Sequence, residues 1–222
     1  MMAFILSKMN LLILVSALFA IIVFFTFSLN DSFLIDKAKG IANDIEAESI
    51  SIISSDSMCS KNKITIPKNL GYSGGKQLFY ILEISKVVLN DGLPNPEEEL
   101  YGLQFSIRKR DSKGLGGIIA SSRVNVNAKD IYLMDVGYGT PDYGISVDSL
   151  GGSSTILDPQ SVTPINAFVL AKERKLGETY LYIVPCNASI NCAGFQDSAY
   201  QLVLNGVDGA QNDGLGSCLK DE

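Results

Sequence analysis

Three patterns of apolar and polar residues follow one another along the chain, and the first is a continuous apolar run. Residues 11–29, LLILVSALFAIIVFFTFSL, carry no charge, and their only polar side chains are three hydroxyls. Nineteen such residues form a helix of about 28 Å, close to the hydrocarbon thickness of a bilayer. A soluble core helix would show a polar face here. The run therefore predicts a transmembrane helix, with a cleaved secretory signal as the alternative.

The second pattern is amphipathic. Apolar residues recur at helical spacing at Leu34, Ala38, Ile41, Ile45 and Ile52, while acidic and basic residues fill the opposite face. The spacing predicts an amphipathic helix over about residues 31–54, continuous with the membrane helix or starting anew after a cap. Its one glycine, at position 40, is expected to be a weak point.

The third pattern, from residue 63 onward, is typical of strands. Eight stretches rich in β-branched and aromatic residues are separated by turn signals. The predicted strands are KITIP, QLFYILEISKVV, YGLQFSIRKR, GIIASSRVNV, DIYLMDV, INAFVLAKER, TYLYIVPC and YQLVLNG. The predicted turns include residues 90–96, Gly116-Gly117, Gly151-Gly152 and 212–214, with a hairpin tip over 172–178.

Together the three patterns predict an α+β fold. The expected parts are a short cytoplasmic N-terminus (1–10), a transmembrane helix (11–29), an amphipathic stalk (30–57) and one antiparallel, sandwich-like extracytoplasmic domain (58–222). A strongly bent single sheet is the alternative arrangement of the strands.

The composition of the chain excludes several kinds of catalytic and metal site. The chain has no histidine, which excludes a Ser-His-Asp triad, a Cys-His pair and any histidine-ligated metal. There are 18 basic against 24 acidic residues, a net charge of -6, so the charge balance does not favour nucleic acid as a partner. No cofactor is expected.

Four cysteines, with no CxxC among them, favour disulfides over a metal or redox site. Cys186 and Cys192 lie close enough in sequence to close a local loop, which leaves Cys59 to pair with Cys218; the other two pairings stay open. Disulfides need an oxidising compartment, so we expect a single-pass protein of the cell membrane with its N-terminus inside and its C-terminal domain outside. Two Asn-x-Ser sequons, at Asn30 and Asn187, are candidate glycosylation sites on that side.

One motif suggests catalysis. Ser55-Asp56-Ser57-Met58 resembles the Ser-x-Ser-Met box of type I signal peptidases, and the resemblance implies Ser57 as nucleophile with a lysine as base. The basic residues 108–110 and Lys113 lie on or after a predicted strand, but they match no lysine-bearing motif of that family. A polar helix end leading into a disulfide is the simpler interpretation, and no catalytic residue is assigned.

Other clusters have simple structural interpretations. Asp135, Asp142, Asp148 and the segment 208–214 have the oxygen donors of calcium loops without EF-hand spacing, and ordinary turns also use these residues. No metal ligand is assigned. Glu97-Glu98-Glu99 is expected to be a solvated charge run. The tyrosines Tyr132, Tyr138 and Tyr143 are candidates for a contact surface or for strand packing.

A hydrophobic helix that continues into an amphipathic one, followed by a β-rich head closed by a C-terminal disulfide, resembles type IV pilins and their archaeal relatives. The resemblance implies a non-catalytic structural subunit, with lipid and either further copies of the chain or a membrane complex as partners. Ser7-Lys8-Met9-Asn10 stands where that family has its processing site, so no functional residue is carried across. The alternatives are a membrane-tethered Ser/Lys peptidase using Ser57 and a ligand-binding ectodomain.

Overall fold

The computed structural model of the chain describes residues 2–73, 76–89, 101–111, 114–137, 146–150, 152–161, 164–188, 192–204 and 216–220. The predicted turns at 90–96 and 212–214, the run Glu97-Glu98-Glu99, Asp142 and the tyrosines at 138 and 143 lie outside these ranges.

A single helix, α1 (Met2–Ile53), takes up the first quarter of the chain. It covers both the apolar run and the amphipathic segment, and it passes through the exposed Gly40 without a break. The buried positions in its second half are Ala38, Ala42, Ile45, Ser49 and Ile52. These steps of four and three residues keep one face of α1 against the rest of the protein.

The remaining chain, from Cys59 onward, forms the head. Its strands are β1 (Cys59–Thr65), β2 (Tyr72–Ser73), β3 (Lys76–Gln77), β4 (Tyr80–Val88), β5 (Tyr101–Asp111), β6 (Gly114–Ala128), β7 (Asp130–Gly137), β8 (Ser146–Leu150), β9 (Ser154–Leu157), β10 (Ala167–Lys175) and β11 (Glu178–Cys186). A second helix, α2 (Ala193–Leu204), and a 3-10 turn (Ser217–Leu219) follow.

The strands form two larger sheets and a two-stranded ribbon. One sheet has five strands in the order β1-β10-β11-β7-β8, the other has four in the order β6-β5-β4-β9, and β2 pairs with β3. Among the described strands, all pairs are antiparallel except β11 with β7, which run parallel. The α+β prediction is confirmed, and the expectation of a purely antiparallel domain is corrected by this one parallel pair.

Strands β10 and β11 lie at the centre of the head and are buried on both faces. Phe168 and Leu170 point into a core shared with α1 and the four-stranded sheet. Val169 and Ala171, on the other face, pack in a second core with Val203 of α2. Because side chains alternate along a strand, two cores need an almost continuous apolar run, and the sequence AFVLA supplies it.

Three sequence predictions are wrong in detail. The stretch YQLVLNG, predicted as a strand, begins within α2, where Gln196, Ala199 and Val203 are buried at helical spacing. Gly116 lies inside β6 rather than in a turn, at a register shift opposite Arg108 and Arg110. A Cβ at Gly116 would come within 2.5 Å of a carbonyl oxygen of β5, so this close approach of two strands requires glycine.

The predicted hairpin tip over 172–178 is shorter than expected. Lys175 pairs with Glu178, which leaves only Leu176 and Gly177 in the turn. Both have positive φ, 52° and 86°, as two-residue hairpins between twisted strands require. The preceding residues, from Lys172 onward, belong to β10.

Two hydroxyls at the interface between α1 and the sheet differ in their partners. Ser122 of β6 donates to the carbonyl oxygen of Ala42 at 3.0 Å and is buried. Ser49 of α1 is fully buried, and its hydroxyl has no hydrogen-bond partner among the described residues. The same interface therefore contains one satisfied hydroxyl and one that loses its hydration without compensation.

This difference predicts opposite effects of one chemical change. Ser49→Ala removes an unsatisfied buried hydroxyl and is expected to raise the free energy of unfolding by about 1 kcal/mol. Ser122→Ala removes a buried hydrogen bond and is expected to lower it by a similar amount. Denaturant unfolding of the full chain in detergent, followed by circular dichroism, measures both. Two changes of the same sign would contradict the account of this interface.

Candidate functional site: the apolar span and the ends of the head

The first half of α1 is exposed apolar surface. The segment Lys8–Thr26 is long and apolar enough to cross a membrane, and none of it is buried against the rest of the protein. The hydroxyl of Thr26 donates to the carbonyl oxygen of Ile22 at 2.8 Å, so this polar group is satisfied within the helix. Within the part of the chain that the structure describes, this segment packs against no other element, and its length and composition are compatible with a membrane span.

At its other end, α1 is held by a buried lysine. Lys172 of β10 is only 3% exposed, and its amine donates to the carbonyl oxygens of Ile53, at 3.0 Å, and Ser55. The last carbonyls of a helix have no partner within the helix and carry its negative dipole end, which a cation satisfies. Burial lowers the pKa of Lys172, the nearby Arg174 lowers it further, and Asp56 opposes the shift.

The same lysine bears on the peptidase hypothesis. Ser57 is exposed, and its hydroxyl lies 2.6 Å from the hydroxyl of Ser55. Lys172 bonds the backbone carbonyl of Ser55, so the structure directs its amine to the helix end rather than to the proposed nucleophile. Lys109, one of the basic residues considered in the sequence, is an exposed residue of β5.

A polar cleft of about 210 Å³ lies beside this helix end. Its lining includes Asp56, Asn127, Lys172, Arg174 and Thr179. The volume is below the 300 to 1,000 Å³ that is typical of small-molecule sites, and the lining is more polar than theirs.

The C-terminal segment is held by a buried carboxylate next to Lys172. Glu173, 4% exposed, accepts hydrogen bonds from the backbone N–H of Gly216 at 2.7 Å, the hydroxyl of Ser217 at 2.6 Å and the hydroxyl of Tyr182 at 2.8 Å. Three donors compensate the lost hydration of a buried carboxylate. We call this group the C-terminal clasp.

The cysteines are paired as Cys59 with Cys218 and Cys186 with Cys192. The first bridge joins the start of β1 to the 3-10 turn beside the clasp. It closes a loop with a sequence separation of 159 residues, worth about 5 kcal/mol in the chain-entropy model. The second bridge ties the end of β11 to the start of α2.

The two sequons lie in different settings. Asn187 follows β11 and is buried, with 6% of its surface exposed, so a glycan there would need the local packing to open. Asn30 lies within α1, four residues beyond the apolar span. Glycosylation at either residue stays a prediction.

The structure describes some of the residues that were considered as metal ligands or as a contact surface. Within the described ranges, no group of three or more acidic or cysteine side chains is arranged to hold a metal ion. Asp135 lies in β7 and Asp148 in β8, while the segment 208–214 is outside the described residues. Tyr132 stacks on Tyr182 with ring centroids 5.3 Å apart, so this tyrosine packs across strands.

No protein-family model matches the chain, and neither a curated protein nor a solved structure does.

The sequence assigns no role to Lys172 and Glu173, because they fall where the predicted strand INAFVLAKER overlaps the predicted hairpin tip over 172–178. A signal was present in the apolar run INAFVLA, which leads directly into them. A run long enough to fill a strand buried on both faces places the next two residues in the same strand, where charged side chains require partners.

The helix end provides a test of the structural role of Lys172. Lys172→Met keeps the length of the side chain but leaves two carbonyls without their cation, and we expect a loss of about 1 to 3 kcal/mol in the free energy of unfolding. Lys63→Met, on an exposed lysine of β1, is the matched control and should change it by less than about 0.5 kcal/mol. Equal effects of the two substitutions would contradict the capping role.

Ser57→Ala is expected to leave the free energy of unfolding unchanged. Loss of a proteolytic activity in that variant would favour the peptidase instead.

The raised pKa values of three tyrosines predict that the protein loses stability at alkaline pH. Burial raises the pKa of Tyr80, burial and Glu173 raise the pKa of Tyr182, and burial with the hydrogen bond to Glu178 raises the pKa of Tyr180 to about 12. The folded state therefore holds these protons more tightly than the unfolded chain does. Their contribution is complete below about pH 10, where free tyrosines titrate, and is lost as pH rises through the folded pKa values.

The measurement is the free energy of unfolding against pH above about 9. Tyr180→Phe should reduce the slope relative to the unsubstituted chain, whereas Tyr72→Phe, on an exposed residue, serves as the control. A slope unaffected by Tyr180→Phe would contradict the assignment.

Proposed function

We propose that the chain is a single-pass membrane protein whose head acts outside the cytosol as a non-catalytic structural subunit, either pilin-like or part of an envelope complex. The observation that carries the proposal is the division of α1. In its first half, Lys8–Thr26 is apolar enough to cross a membrane and is not buried against the rest of the described protein, and its second half buries one face in the head's core. This division suits a helix with one half in lipid and the other in protein.

The orientation is supported by the disulfides. Both bridges lie in the head, and disulfides persist in oxidising compartments. Lys8 is the only charge before the apolar run, so the basic residues alone give little guidance. The proposal places the N-terminus inside and the head outside.

A structural role is favoured over catalysis by the way the charged groups are used. Lys172 caps α1, Glu173 holds the C-terminal segment, and Arg108 pairs with Glu83 at 2.6 Å. Each of these contacts joins two different structural elements or segments of the protein. The chain also lacks histidine, the most common general base.

Membrane anchoring is tested by charge in the span. Leu14→Lys with Leu18→Lys adds about 5 to 7 kcal/mol to the cost of insertion and should release the protein from carbonate-washed membranes. The matched control, Leu14→Ala with Leu18→Ala, keeps the segment uncharged and should stay membrane-bound. Digestion by protease added outside intact cells should reach the head of the unsubstituted chain. A head protected in intact cells would contradict the orientation.

The subunit role is tested by cross-linking in native membranes followed by denaturing electrophoresis. We expect either a ladder of the chain with itself or a discrete larger complex. A monomer at every cross-linker concentration would contradict a structural subunit, while leaving the anchor intact.

A further inference from the structure

Five exposed apolar side chains lie at one end of the head. Phe33 of α1, Tyr72 of β2, Phe79 before β4, and Leu115 and Ile118 of β6 are between 40% and 70% exposed. We call these five residues the base belt. Single exposed apolar residues are ordinary on a protein surface, but several at one end mark a surface that contacts something other than water.

The belt lies at the end of the head nearest the apolar span. Strand β6 runs along α1 in the same direction, because Ser122 bonds Ala42 and, further on, Val126 and Ile53 line the same cleft. Ile118 precedes Ser122 by four residues, about 13 Å of strand. This is the rise of about nine residues of α1. Ile118 is therefore level with the region of Phe33.

Contacts of neighbouring residues place Tyr72, Phe79 and Leu115 at the same level of the head. A Cβ on Gly71, next to Tyr72, would lie 3.9 Å from the ring of Phe33. The N–H of Arg110 donates to the carbonyl oxygen of Phe79 at 3.4 Å, and Arg110 is paired with Leu115 across the sheet. The belt thus extends from α1 around the outer face of the four-stranded sheet.

Only a short stretch of α1 separates the apolar span from this end of the head. Thr26 ends the candidate span and the apolar sequence continues to Leu29, only four residues, or about 6 Å, before Phe33. The headgroup layer of one leaflet is itself about 5 to 7 Å thick. If α1 spans the bilayer, the end of the head that lies level with Phe33 is therefore within the headgroup layer.

We propose that the base belt is a lipid contact surface, by which the head rests in the headgroup layer of the leaflet that α1 enters. This inference rests on the proposed anchoring of α1. The ring of Tyr72 suits the interface, because an aromatic body with a polar tip prefers that depth. Two exposed lysines at the same end, Lys68 and Lys109, carry the charge that lipid phosphates attract.

The chain has no tryptophan, so a single introduced tryptophan reports its own surroundings. Full-length variants Tyr72→Trp and Ile118→Trp are reconstituted in vesicles of phosphatidylcholine with phosphatidylglycerol, with and without lipids brominated near the top of their acyl chains. Phe19→Trp, in the middle of the span, reports anchoring. Leu176→Trp, at the hairpin tip beyond Lys172 and so at the opposite end of the head, is the matched exposed control.

We expect the shallow bromines to quench Tyr72→Trp and Ile118→Trp several-fold more than Leu176→Trp, with emission shifted to shorter wavelength. Quenching of Phe19→Trp alone would overturn the belt and leave the anchor standing. Loss of quenching at Phe19→Trp as well would overturn the anchor. A wavelength shift without quenching at the belt would mean that protein covers it, and would overturn the assignment to lipid.

Discussion

Strand β10 holds the end of α1 and the C-terminal segment in place through two buried residues of opposite charge. The rest of the fold depends on the partners that these two charges find. Its apolar residues fill two cores, one on each face. At its end, Lys172 turns toward α1 and Glu173 toward the C-terminal segment. Neither charge is tolerable there without partners, because a buried ion loses several kcal/mol of hydration. The end of α1 and the turn at Gly216 supply those partners, and this fixes where the two chain segments dock.

This arrangement leaves the two halves of α1 in different surroundings, one packed on the head and one exposed. The stripe that includes Ala38, Ala42 and Ile45 packs against β6 and neighbouring strands, and the capping lysine fixes the far end. Held in this way, the helix projects its first half beyond the head with no packing of its own. The apolar composition of that half and its lack of partners within the chain are two independent facts, and both are consistent with lipid as its surroundings.

Much of the fold could be predicted from periodicity. The long apolar run, the helical spacing after it and most of the long strands are strong local signals, and the cysteine spacing favoured the pairing observed. The failures have physical causes. The segment of α2 has strand-forming residues, but a disulfide at its start and the apolar face of the sheet select a helix. The parallel pairing of β7 with β11 is a long-range choice that no local pattern contains. The roles of Lys172 and Glu173 could not be predicted, because their partners lie at the end of α1 and at Gly216, far away in the sequence.

The bridge between Cys59 and Cys218 has a mechanical consequence. The chain enters the head from α1 at Cys59, and the bridge returns the C-terminal segment to that same point. Tension between α1 and a C-terminal attachment would pass through the sulfur atoms and bypass the strands that lie between the two cysteines. The sheets would then bear little of a load that, in a head without the bridge, would peel their strands apart.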